Sequence, residues 1–499
     1  MGLEKEGLRV TPSGGIAHTS HPTTLGAALT HPYITTDYSE ALLELITPPQ
    51  RDKGQAIEFL RDAHRFVYEH LEGEILWATS MPCLLAGGED IPIATYGRSN
   101  AGMMKTVYRR GLGLRYGRTM QVIAGVHFNY SLPEAFWPLF WELEGCNIAL
   151  QDFVSESYMG MIRNLQRFGW LIPYLFGASP AVCKSFVHGR STDLQEFDAS
   201  TLYYPYATSL RMGDIGYQNS LEEGKGFRAN YDSLDAYVRS LTWAIETPCL
   251  DYEQIGVVEH GNYHQLNANV LQIENEHYSS MRPKQILQGL EKPSLALRRR
   301  GVRYVELRSL DVNAFEPIGV AEEQLYFLEV FLLFCLLNDS PRIAATEAKM
   351  INANQIRTAH RGRELGLRLQ QKDRAITLRD WAGELLGEMA PLAALLDQGD
   401  PQAPRSGALV MAQERVTHPD ATPSARMLEE MRTQGEGFFD FARRISWEHR
   451  AFFAQTPIKE ERRAEFERLA QASHTRQREL EEADDRPFAR FLEDYFAQS

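Results

Sequence analysis

The segment Gly301-Val-Arg-Tyr-Val-Glu-Leu-Arg-Ser-Leu-Asp311 is a β-prone run with an unusual alternation of charged and apolar residues. Successive side chains of a strand point to opposite faces. One face would carry Val302, Tyr304, Glu306 and Arg308, and the other Arg303, Val305, Leu307 and Ser309. A glutamate beside an arginine on such a face would normally be a hydrated pair. The same feature recurs in distant segments, which predicts a sheet whose polar face lines a cavity for metal ions and an anionic substrate.

Four further segments are predicted as strands with polar faces: Leu3–Val10, Glu40–Thr47, Gln121–Leu132 and His264–Ile273. Glu4 and Glu6 are two positions apart, so on a strand both carboxylates face the same way. Glu44 shares its strand face with apolar residues, which is costly unless the carboxylate is paired or binds a metal. Hydrated faces can explain one or two such strands, but not so many in a chain with ample apolar residues.

Three polar residues alternate in the segment 127–131, where His127, Asn129 and Ser131 share one face. The same alternation returns with Gln265, Asn267 and Asn269. A single histidine on a strand is more often a core or surface residue than a metal ligand, and Asp37 could simply cap a turn or helix because Asp37-Tyr-Ser-Glu40 fits a capping box. The functional interpretation therefore depends on the strands taken together.

The candidate ligands are carboxylates and one imidazole. This set favours Mg²⁺ or Mn²⁺, which prefer oxygen donors, over zinc. Several converging carboxylates would repel one another without a metal, and divalent ions would also bridge the phosphates of a nucleotide. Arg211 and Arg308 are predicted to bind carboxylate or phosphoryl oxygens. The common glycine-rich phosphate-binding motifs are absent from the sequence.

Composition excludes several classes of protein. The chain has 499 residues and a formal net charge of −14, so we expect no nucleic-acid partner. The longest apolar run, Leu325–Leu337, is too short to span a bilayer and predicts a buried helix, so we expect no membrane partner. The 5 cysteines are scattered without a CxxC pair, which predicts reduced thiols in a cytoplasmic protein.

The organisation of the chain predicts an α+β fold with an antiparallel or mixed sheet, because long irregular excursions separate the strands. Helices are predicted for a stripe from Ile57 to Leu71, for Phe153–Leu175 with an interruption at Pro173, for Leu234–Ile245 and for Glu322–Leu337. Beyond Asp339 strand signals vanish, 400–407 is a predicted loop, and 460–496 is one or two amphipathic helices. We therefore predict a catalytic domain at 1–338 and a mainly helical region at 339–499 packed on it.

Several collinear motifs together resemble the glutamate–cysteine ligase family of the proteobacterial type. They are Gly2–Val10, Ile34–Glu44, Ser80–Cys83, Gly125–Ser131, Phe176–Ala181, Tyr206–Arg211, Asn269–Glu276 and Tyr304–Asp311. The resemblance implies a glutamine-synthetase-like architecture, with an antiparallel sheet curved into a funnel and helices outside. It also implies ATP-dependent joining of the L-glutamate γ-carboxylate to the L-cysteine amine through γ-glutamyl phosphate, the first step of glutathione synthesis.

The resemblance also implies roles for individual residues. Positions that hold two or three magnesium ions, or Mn²⁺, are matched by Glu4, Glu6, Asp37, Glu44, His127 and Glu306. Positions around the amino-acid substrates are matched by Tyr38, Tyr108, Leu112, Gln121, Arg211, Tyr217, Tyr278 and Arg308. Asn129 and Ser131 would face the nucleotide. Arg308 and Arg211 would stabilise negative charge during phosphoryl transfer, and we expect the protein to be a monomer.

One feature departs from the family pattern. The family usually has a helix of about twenty residues before the first ligand strand, whereas Met1 directly precedes that strand here. Chain ends fray, so we expect a metal site that depends on Glu4 and Glu6 to be poorly held. Two other functions stay open: a ligase of the same architecture that acts on another amine, and a non-catalytic relative that binds nucleotide or metal.

Overall fold

The computed structural model of the protein describes residues 1–82, 87–187, 192–216 and 227–498. Fourteen strands occur in these ranges. They are β1 (Gly2–Val10), β2 (Ile34–Thr36), β3 (Leu42–Ile46), β4 (Ile75–Leu76), β5 (Gly125–Tyr130), β6 (Ala181–Cys183), β7 (Gln195–Glu196), β8 (Thr201–Tyr203), β9 (Val258–Glu259), β10 (Asn262–Tyr263), β11 (Met281–Lys284), β12 (Tyr304–Asp311), β13 (Arg368–Gln371) and β14 (Arg374–Thr377).

Sixteen α-helices occur in the same described ranges. They are α1 (Lys53–His70), α2 (Asn100–Tyr116), α3 (Phe136–Leu143), α4 (Leu150–Phe168), α5 (Leu171–Phe176), α6 (Leu234–Glu246), α7 (Leu250–Ile255), α8 (Pro293–Arg300), α9 (Glu322–Leu337), α10 (Ala345–Arg361), α11 (Leu378–Leu396), α12 (Pro404–Thr417), α13 (Pro423–Gln434), α14 (Phe438–Gln455), α15 (Glu460–Ala483) and α16 (Phe488–Phe496).

The main sheet has seven strands, in the order β11-β12-β5-β1-β3-β2 with β4 added beside the end of β1. Every pairing in it is antiparallel. Four of the five predicted strands are found, as β1, β3, β5 and β12. Together with the helical region that follows Asn338, this sheet confirms the predicted α+β class.

β1 lies in the middle of this sheet, between β3 and β5. Its residues pair on both sides, Glu4 with His127 of β5 and Glu6 with Glu44 of β3. The N-terminal ammonium also donates to the carbonyl oxygen of Gln50 at 2.7 Å. The expectation that the first strand is poorly held is therefore wrong, because two ladders of main-chain hydrogen bonds fix it.

The apolar face of the sheet packs on helices. α9 is apolar on all sides, and a helix with this pattern must be buried. It is in contact with α1, α4, α11 and α12. α1 begins after Asp52, whose carboxylate accepts from the main-chain N–H of Gln55 at 2.8 Å. One continuous cluster of buried apolar side chains extends from Leu3 to Phe466. The polar face of the sheet is thereby left for a cavity.

Three details of the predicted elements are wrong. The segment 264–273 is not a strand: it is irregular, apart from an isolated bridge at Asn269, and its side chains contact α2 and α7. The helix predicted to break at Pro173 breaks at Gly169 instead, and Pro173 lies in the first turn of α5, where a missing N–H costs nothing. Strands do occur beyond residue 339, as the β13–β14 hairpin.

Two compositional predictions can also be compared with the structure. Cys146, Cys249 and Cys335 are free thiols, but Cys183 is disulfide-bonded, so the prediction of reduced thiols throughout is wrong at that position. The fifth cysteine, Cys83, lies outside the described residues. Among the described helices, none has both the length and the apolar character needed to cross a membrane.

Candidate active site

A cavity of about 650 Å³ lies over the polar face of the sheet. Its walls are β1, β3, β5, β11 and β12 on one side, and α2 with the segment 273–278 on the other. Of the predicted site residues, those that line it are Glu4, Asp37, Tyr38, Glu44, Tyr108, Leu112, Gln121, His127, Tyr278, Glu306 and Arg308. The structure therefore brings together residues that are up to 304 positions apart in the sequence.

Acidic residues converge on His127 at the floor of the cavity. Its Nδ1 lies 3.1 Å from Glu4 Oε2 and 3.9 Å from Glu306 Oε1, and its Nε2 lies 3.6 Å from Glu6 Oε1. One ligand atom from each of Glu4, Glu44 and His127 lies within 4.8 Å of the other two. The strand register explains this: Glu4 stands opposite His127, Glu6 opposite Glu44, and Glu306 opposite Asn129, two positions from His127 on β5.

The carboxylates of this cluster have different electrostatic environments. Burial, followed by the nearby charges of Glu4, Asp37 and Glu6, raises the pKa of Glu44 well above its usual value. Burial also raises the pKa of Glu6, whose Oε2 accepts from the Gly125 N–H at 2.6 Å. For Glu4, burial opposes the charge, but the hydrogen bond with His127 outweighs it and lowers the pKa. A cation would relieve the repulsion that acts on Glu44.

The donor set fits a hard divalent metal ion. Four carboxylates and one imidazole are the ligands expected for Mg²⁺ or Mn²⁺, and no cysteine takes part. A carboxylate that is buried among three others is costly without a compensating charge. The Oδ1 of Asn129 is a further buried oxygen beside Glu4, without a hydrogen-bond partner.

Basic side chains line the same cavity. Arg308 Nη1 lies 3.2 Å from Glu306 Oε1, while its buried Nε has no hydrogen-bond partner among the residues that the structure describes. Lys284 Nζ lies 3.5 Å from Glu306 Oε2. Arg282 stands directly opposite Glu306 in the β11–β12 ladder. Burial opposes ionisation of Glu306, but Lys284 and Arg308 outweigh it and lower its pKa. Arg308 thus places a positive charge in the cavity, where it can bind an anionic group.

Arg211 lies deeper than Arg308. Its side chain is 2% exposed and is not part of the described cavity lining. Its Nη2 donates to the main-chain oxygen of Arg308 at 2.9 Å, and its Nη1 is 3.9 Å from Asp311 Oδ1. A Cβ at Gly125 would overlap the Arg211 guanidinium, so a larger residue there would displace it. The structure thus places Arg211 behind the strand residue that faces the cavity.

The wall opposite the sheet is mainly aromatic and apolar. Tyr108 and Leu112 project from α2, and Tyr38 lies in the connection from β2 to β3 with its buried hydroxyl unpaired. Gln121 belongs to the 3₁₀ turn Thr119–Val122, and Tyr278 follows the 3₁₀ turn Glu274–Glu276. Tyr217 lies outside the described residues, directly after a glycine of the cavity lining.

The two residues expected to face the nucleotide lie at the end of β5. Asn129 stands between Gly2 and Glu306 in the ladder, and its Nδ2 donates to Glu4 Oε1 at 2.8 Å. Ser131 follows the last residue of β5 and is half-buried. Neither belongs to the described cavity lining, so the structure places them at its margin.

Four basic residues of the cavity were missed by the sequence analysis: Lys105, Arg109, Arg282 and Lys284. Arg282 and Lys284 alternate in Met281-Arg-Pro-Lys284, a signal that could have been found but that contains a proline. Arg109 donates to the main-chain oxygen of Asp37. Burial lowers the pKa of Lys105 to about 8.

Comparison with known proteins agrees with this geometry. The sequence profile of the family described as Glutamate-cysteine ligase matches residues 1–358. A glutamate–cysteine ligase of Alcanivorax borkumensis is 48% identical over 99% of this chain and 95% of its own length. One of Azotobacter vinelandii is 49% identical over 99% of this chain and 94% of its own.

A solved structure is also similar. The crystal structure of glutamate–cysteine ligase from Francisella tularensis, in complex with AMP, superposes with a TM-score of 0.92 and is 36% identical. The match covers 99% of this chain and 97% of that one. A cavity with clustered carboxylates and unpaired basic donors, the family profile and these relatives all agree: the chain belongs to the glutamate–cysteine ligase family and is an ATP-dependent ligase that joins the γ-carboxylate of glutamate to the amine of cysteine.

Proposed function

We propose that the described cavity is the active site, and that Glu4, Glu6, Asp37, Glu44, His127 and Glu306 hold two or three Mg²⁺ ions, or Mn²⁺, in it. The observation that carries the proposal is the convergence of four carboxylates on His127, with three ligand atoms within 4.8 Å of one another. When bound, the ions neutralise phosphate charge during phosphoryl transfer.

We infer that the nucleotide lies toward the open end of β5 and β12, near Asn129, Ser131 and Lys284. The AMP complex of the similar Francisella enzyme supports nucleotide binding, and the basic side chain of Lys284 supports this place for it. Lys284 lies on the edge strand, 3.5 Å from Glu306, and its side chain is 29% exposed, so its ammonium can also contact phosphate oxygens.

The amino acids are assigned to the opposite end of the cavity, between Arg308 and the α2 wall. Tyr38, Tyr108, Leu112, Gln121 and Tyr278 would enclose glutamate and cysteine there, together with Tyr217. The support is their shared position around the cavity, for all but Tyr217. A small pocket of this kind separates a thiol from a methyl or hydroxyl by about 1–3 kcal/mol.

The reaction then proceeds in two steps. An oxygen of the glutamate γ-carboxylate bonds to the γ-phosphorus of ATP, the bond to the bridging oxygen breaks, and ADP leaves with γ-glutamyl phosphate formed. The neutral cysteine amine then bonds to the activated carbonyl carbon, the bond from that carbon to the phosphate oxygen breaks, and phosphate leaves with the proton that the nitrogen loses. Arg308, which lines the cavity, stabilises the developing negative charge through its guanidinium. Arg211 orients Arg308 by donating to its main-chain oxygen.

Four broader features belong to the same proposal. We propose that the enzyme acts in the cytoplasm, catalyses the first step of glutathione synthesis and works as a monomer. Residues 1–338 would form the catalytic domain and 339–499 a helical region packed on it. The shared apolar cluster from Leu3 to Phe466 supports that packing.

The test is ADP formation by the purified chain with Mg·ATP and L-glutamate, with and without L-cysteine. We expect ADP formation that depends on cysteine, and its loss in Glu306→Gln with the fold retained. Glu316→Gln is the matched control, because Glu316 lies beyond the same strand and outside the cavity lining. Turnover by Glu306→Gln at the normal rate would remove Glu306 from the metal site.

A panel of other amines completes the experiment. Faster ADP formation with a different amine would assign the chain to another ligase reaction. Binding of Mg·ATP in calorimetry without cysteine-dependent ADP formation would indicate a non-catalytic relative.

A further inference from the structure

A second, smaller apolar cluster lies behind the α2 wall of the cavity and is separate from the main core. We name it the rear cluster, and its buried members are Met104, Val107, Leu266, Phe488, Phe491, Leu492 and Tyr495. Four of these seven residues come from α16, the last helix of the chain. α16 therefore buries its apolar face on α2 and its neighbours, and not on the main core.

The rear cluster is continuous with the lining of the cavity. Tyr108 and Ile273 pack against it and also line the cavity. Val107 faces the rear cluster from α2, while Leu112 on the same helix lines the cavity. A displacement of α2 at the rear cluster would therefore move side chains that line the cavity.

α2 and the segment 265–276 form a single unit through a buried network. Arg115 Nη1 and Glu276 Oε1 are 2.8 Å apart, and both side chains are fully buried. Arg115 also donates to Gln265 Oε1 at 2.9 Å, and Gln272 Nε2 donates to the main-chain oxygen of Tyr108 at 3.2 Å. A buried pair held by several further hydrogen bonds is rigid, so the two segments move together.

Polar contacts fasten α16 at both of its ends. Before the helix, Asp484 accepts from the main-chain N–H and the side-chain amide of Asn100, the first residue of α2. After it, Lys292 Nζ donates to the main-chain oxygens of Phe496 and Gln498 at 2.7 and 3.0 Å. The helix thus spans from the beginning of α2 to the segment that precedes α8.

We propose that α16 is a positioning element for the amino-acid substrates, because it holds the α2 wall in the conformation that binds them. This inference rests on the proposed function, which assigns glutamate and cysteine to that wall. Among the described residues, neither the members of the rear cluster nor the apolar side chains packed against it come from β5 or β11, the strands at the nucleotide end of the cavity.

The kinetic signature follows from a population argument. When only a fraction of the molecules has the ordered α2 wall, the apparent affinity for the amino acids is the intrinsic affinity multiplied by that fraction. If the fraction falls to one tenth, KM rises about tenfold. Saturating substrate restores the ordered state, so kcat changes little. A substitution that simply destabilises the protein has no such effect on KM.

The test uses the full chain with Phe491→Ala, which removes a buried ring from the rear cluster. We expect KM for glutamate and for cysteine to rise about tenfold, with KM for Mg·ATP and kcat within about twofold, and Phe491→Leu to restore most of the affinity. Arg490→Ala on the exposed side of α16 and Phe466→Ala in the main core are the controls. Both should keep the normal KM values, although Phe466→Ala lowers Tm.

Three outcomes separate the possibilities. Normal KM values in Phe491→Ala, with a lower Tm as in Phe466→Ala, would overturn the positioning role and leave the proposed function intact. Wild-type protein without cysteine-dependent ADP formation would overturn the proposed function and this inference with it. If Phe491→Ala does not fold, Asp484→Ala replaces it, since this change removes only the contacts to Asn100, and the same KM criterion decides.

Discussion

Two neighbouring arginines, Arg308 on β12 and Arg211 in the 3₁₀ turn Leu210–Met212, show how position separates similar side chains. Arg308 lines the cavity, whereas Arg211 does not: the Arg211 guanidinium contacts the main-chain oxygen of Arg308 and lies 3.9 Å from Asp311. Of these two arginines, we therefore expect Arg308 to contact the transferring phosphoryl group and Arg211 to support it.

The substitution Arg308→Lys tests this difference. An ammonium is a point charge and cannot replace the planar fork of a guanidinium, so we expect kcat to fall by about 10²–10³-fold, with smaller changes in KM. The measurement is steady-state ADP release at saturating substrates. Arg303→Lys is the matched control, because Arg303 pairs with Glu134 outside the cavity lining. A near-normal kcat in Arg308→Lys would reject the role.

The sequence predicts the acidic part of the site better than the basic part. Glu4, Glu44, His127 and Glu306 could be found because a charged side chain on an apolar strand is visible in the sequence. The signal at Lys284 is weaker, because Pro283 argues against a strand. The structure explains why a strand tolerates Pro283: β11 is an edge strand, so the missing N–H of proline need not remove a hydrogen bond from the sheet.

The alternation at 265–269 predicts a strand, and this prediction is wrong. The polar side chains serve other contacts there: Gln265 Oε1 accepts from Arg115, and the Asn267 side-chain amide donates to the main-chain oxygen of Gln272. A period of two arises there from local hydrogen bonds, such as that from Asn269 N–H to Asn267 Oδ1 at 3.0 Å. Long helices and strands with a buried face were predictable, whereas segments held by side-chain networks were not.

α2 depends on a glycine where it passes over the connection from β2 to β3. A Cβ at Gly113 would overlap the Tyr38 hydroxyl oxygen, and Tyr38 is only 1% exposed. We expect Gly113→Ala to lower stability by about 1–3 kcal/mol through overpacking and to raise KM for the amino acids. Gly387→Ala is the control: its Cβ meets nothing within 4 Å, so it should stabilise α11 by up to about 1 kcal/mol. A Tm for Gly113→Ala at or above the wild-type value would contradict the expectation.

The beginning of β2 depends on a neutral histidine. His31 Nδ1 accepts from the main-chain N–H groups of Tyr33 and Ile34 at 3.1 and 2.8 Å, which requires that nitrogen to be unprotonated. Burial, with a contribution from His474, lowers the pKa of His31 to about 4. The unfolded chain therefore binds a proton at a higher pH than the folded one, and stability falls as the pH decreases from about 6.5 to 4.

His31→Asn should weaken this acid sensitivity, since an amide oxygen can accept the same two hydrogen bonds at any pH. In the wild type, His31 lowers the free energy of unfolding by up to about 1.4 kcal/mol for each pH unit as the pH decreases from 6.5 to 4. We expect His31→Asn to lack this contribution. Urea unfolding at a series of pH values measures it. His260→Asn is the control, because the His260 side chain is 89% exposed. Parallel pH profiles for wild type and His31→Asn would refute the role of His31.

At the scale of the whole molecule, the helical C-terminal region and the sheet share one core. α14 closes the back of β1 and β4: the Ala78 N–H donates to Ser446 Oγ at 3.0 Å, and Arg450 donates to the main-chain oxygen of Glu74 at 3.1 Å. The carboxylate cluster that includes Glu4 and Glu6 of β1 therefore lies inside a structure that extends to α15. We expect binding of a metal ion at this cluster to be coupled to the unfolding of the entire core.

This coupling predicts that Mg²⁺ alone stabilises the protein. A ligand that binds only the folded state adds about 2.7 kcal/mol at a hundredfold excess over Kd, which for a chain of 499 residues corresponds to a Tm increase of roughly 2–3 °C. Glu44→Gln should remove most of the increase, because it takes a charged ligand from the cluster. Glu89→Gln is the control, since that side chain is 94% exposed. The measurement is scanning calorimetry with and without Mg²⁺. An equal increase of Tm in Glu44→Gln and in the wild type would place the stabilising ion elsewhere, because Glu44 and Glu4 would then contribute nothing to its binding.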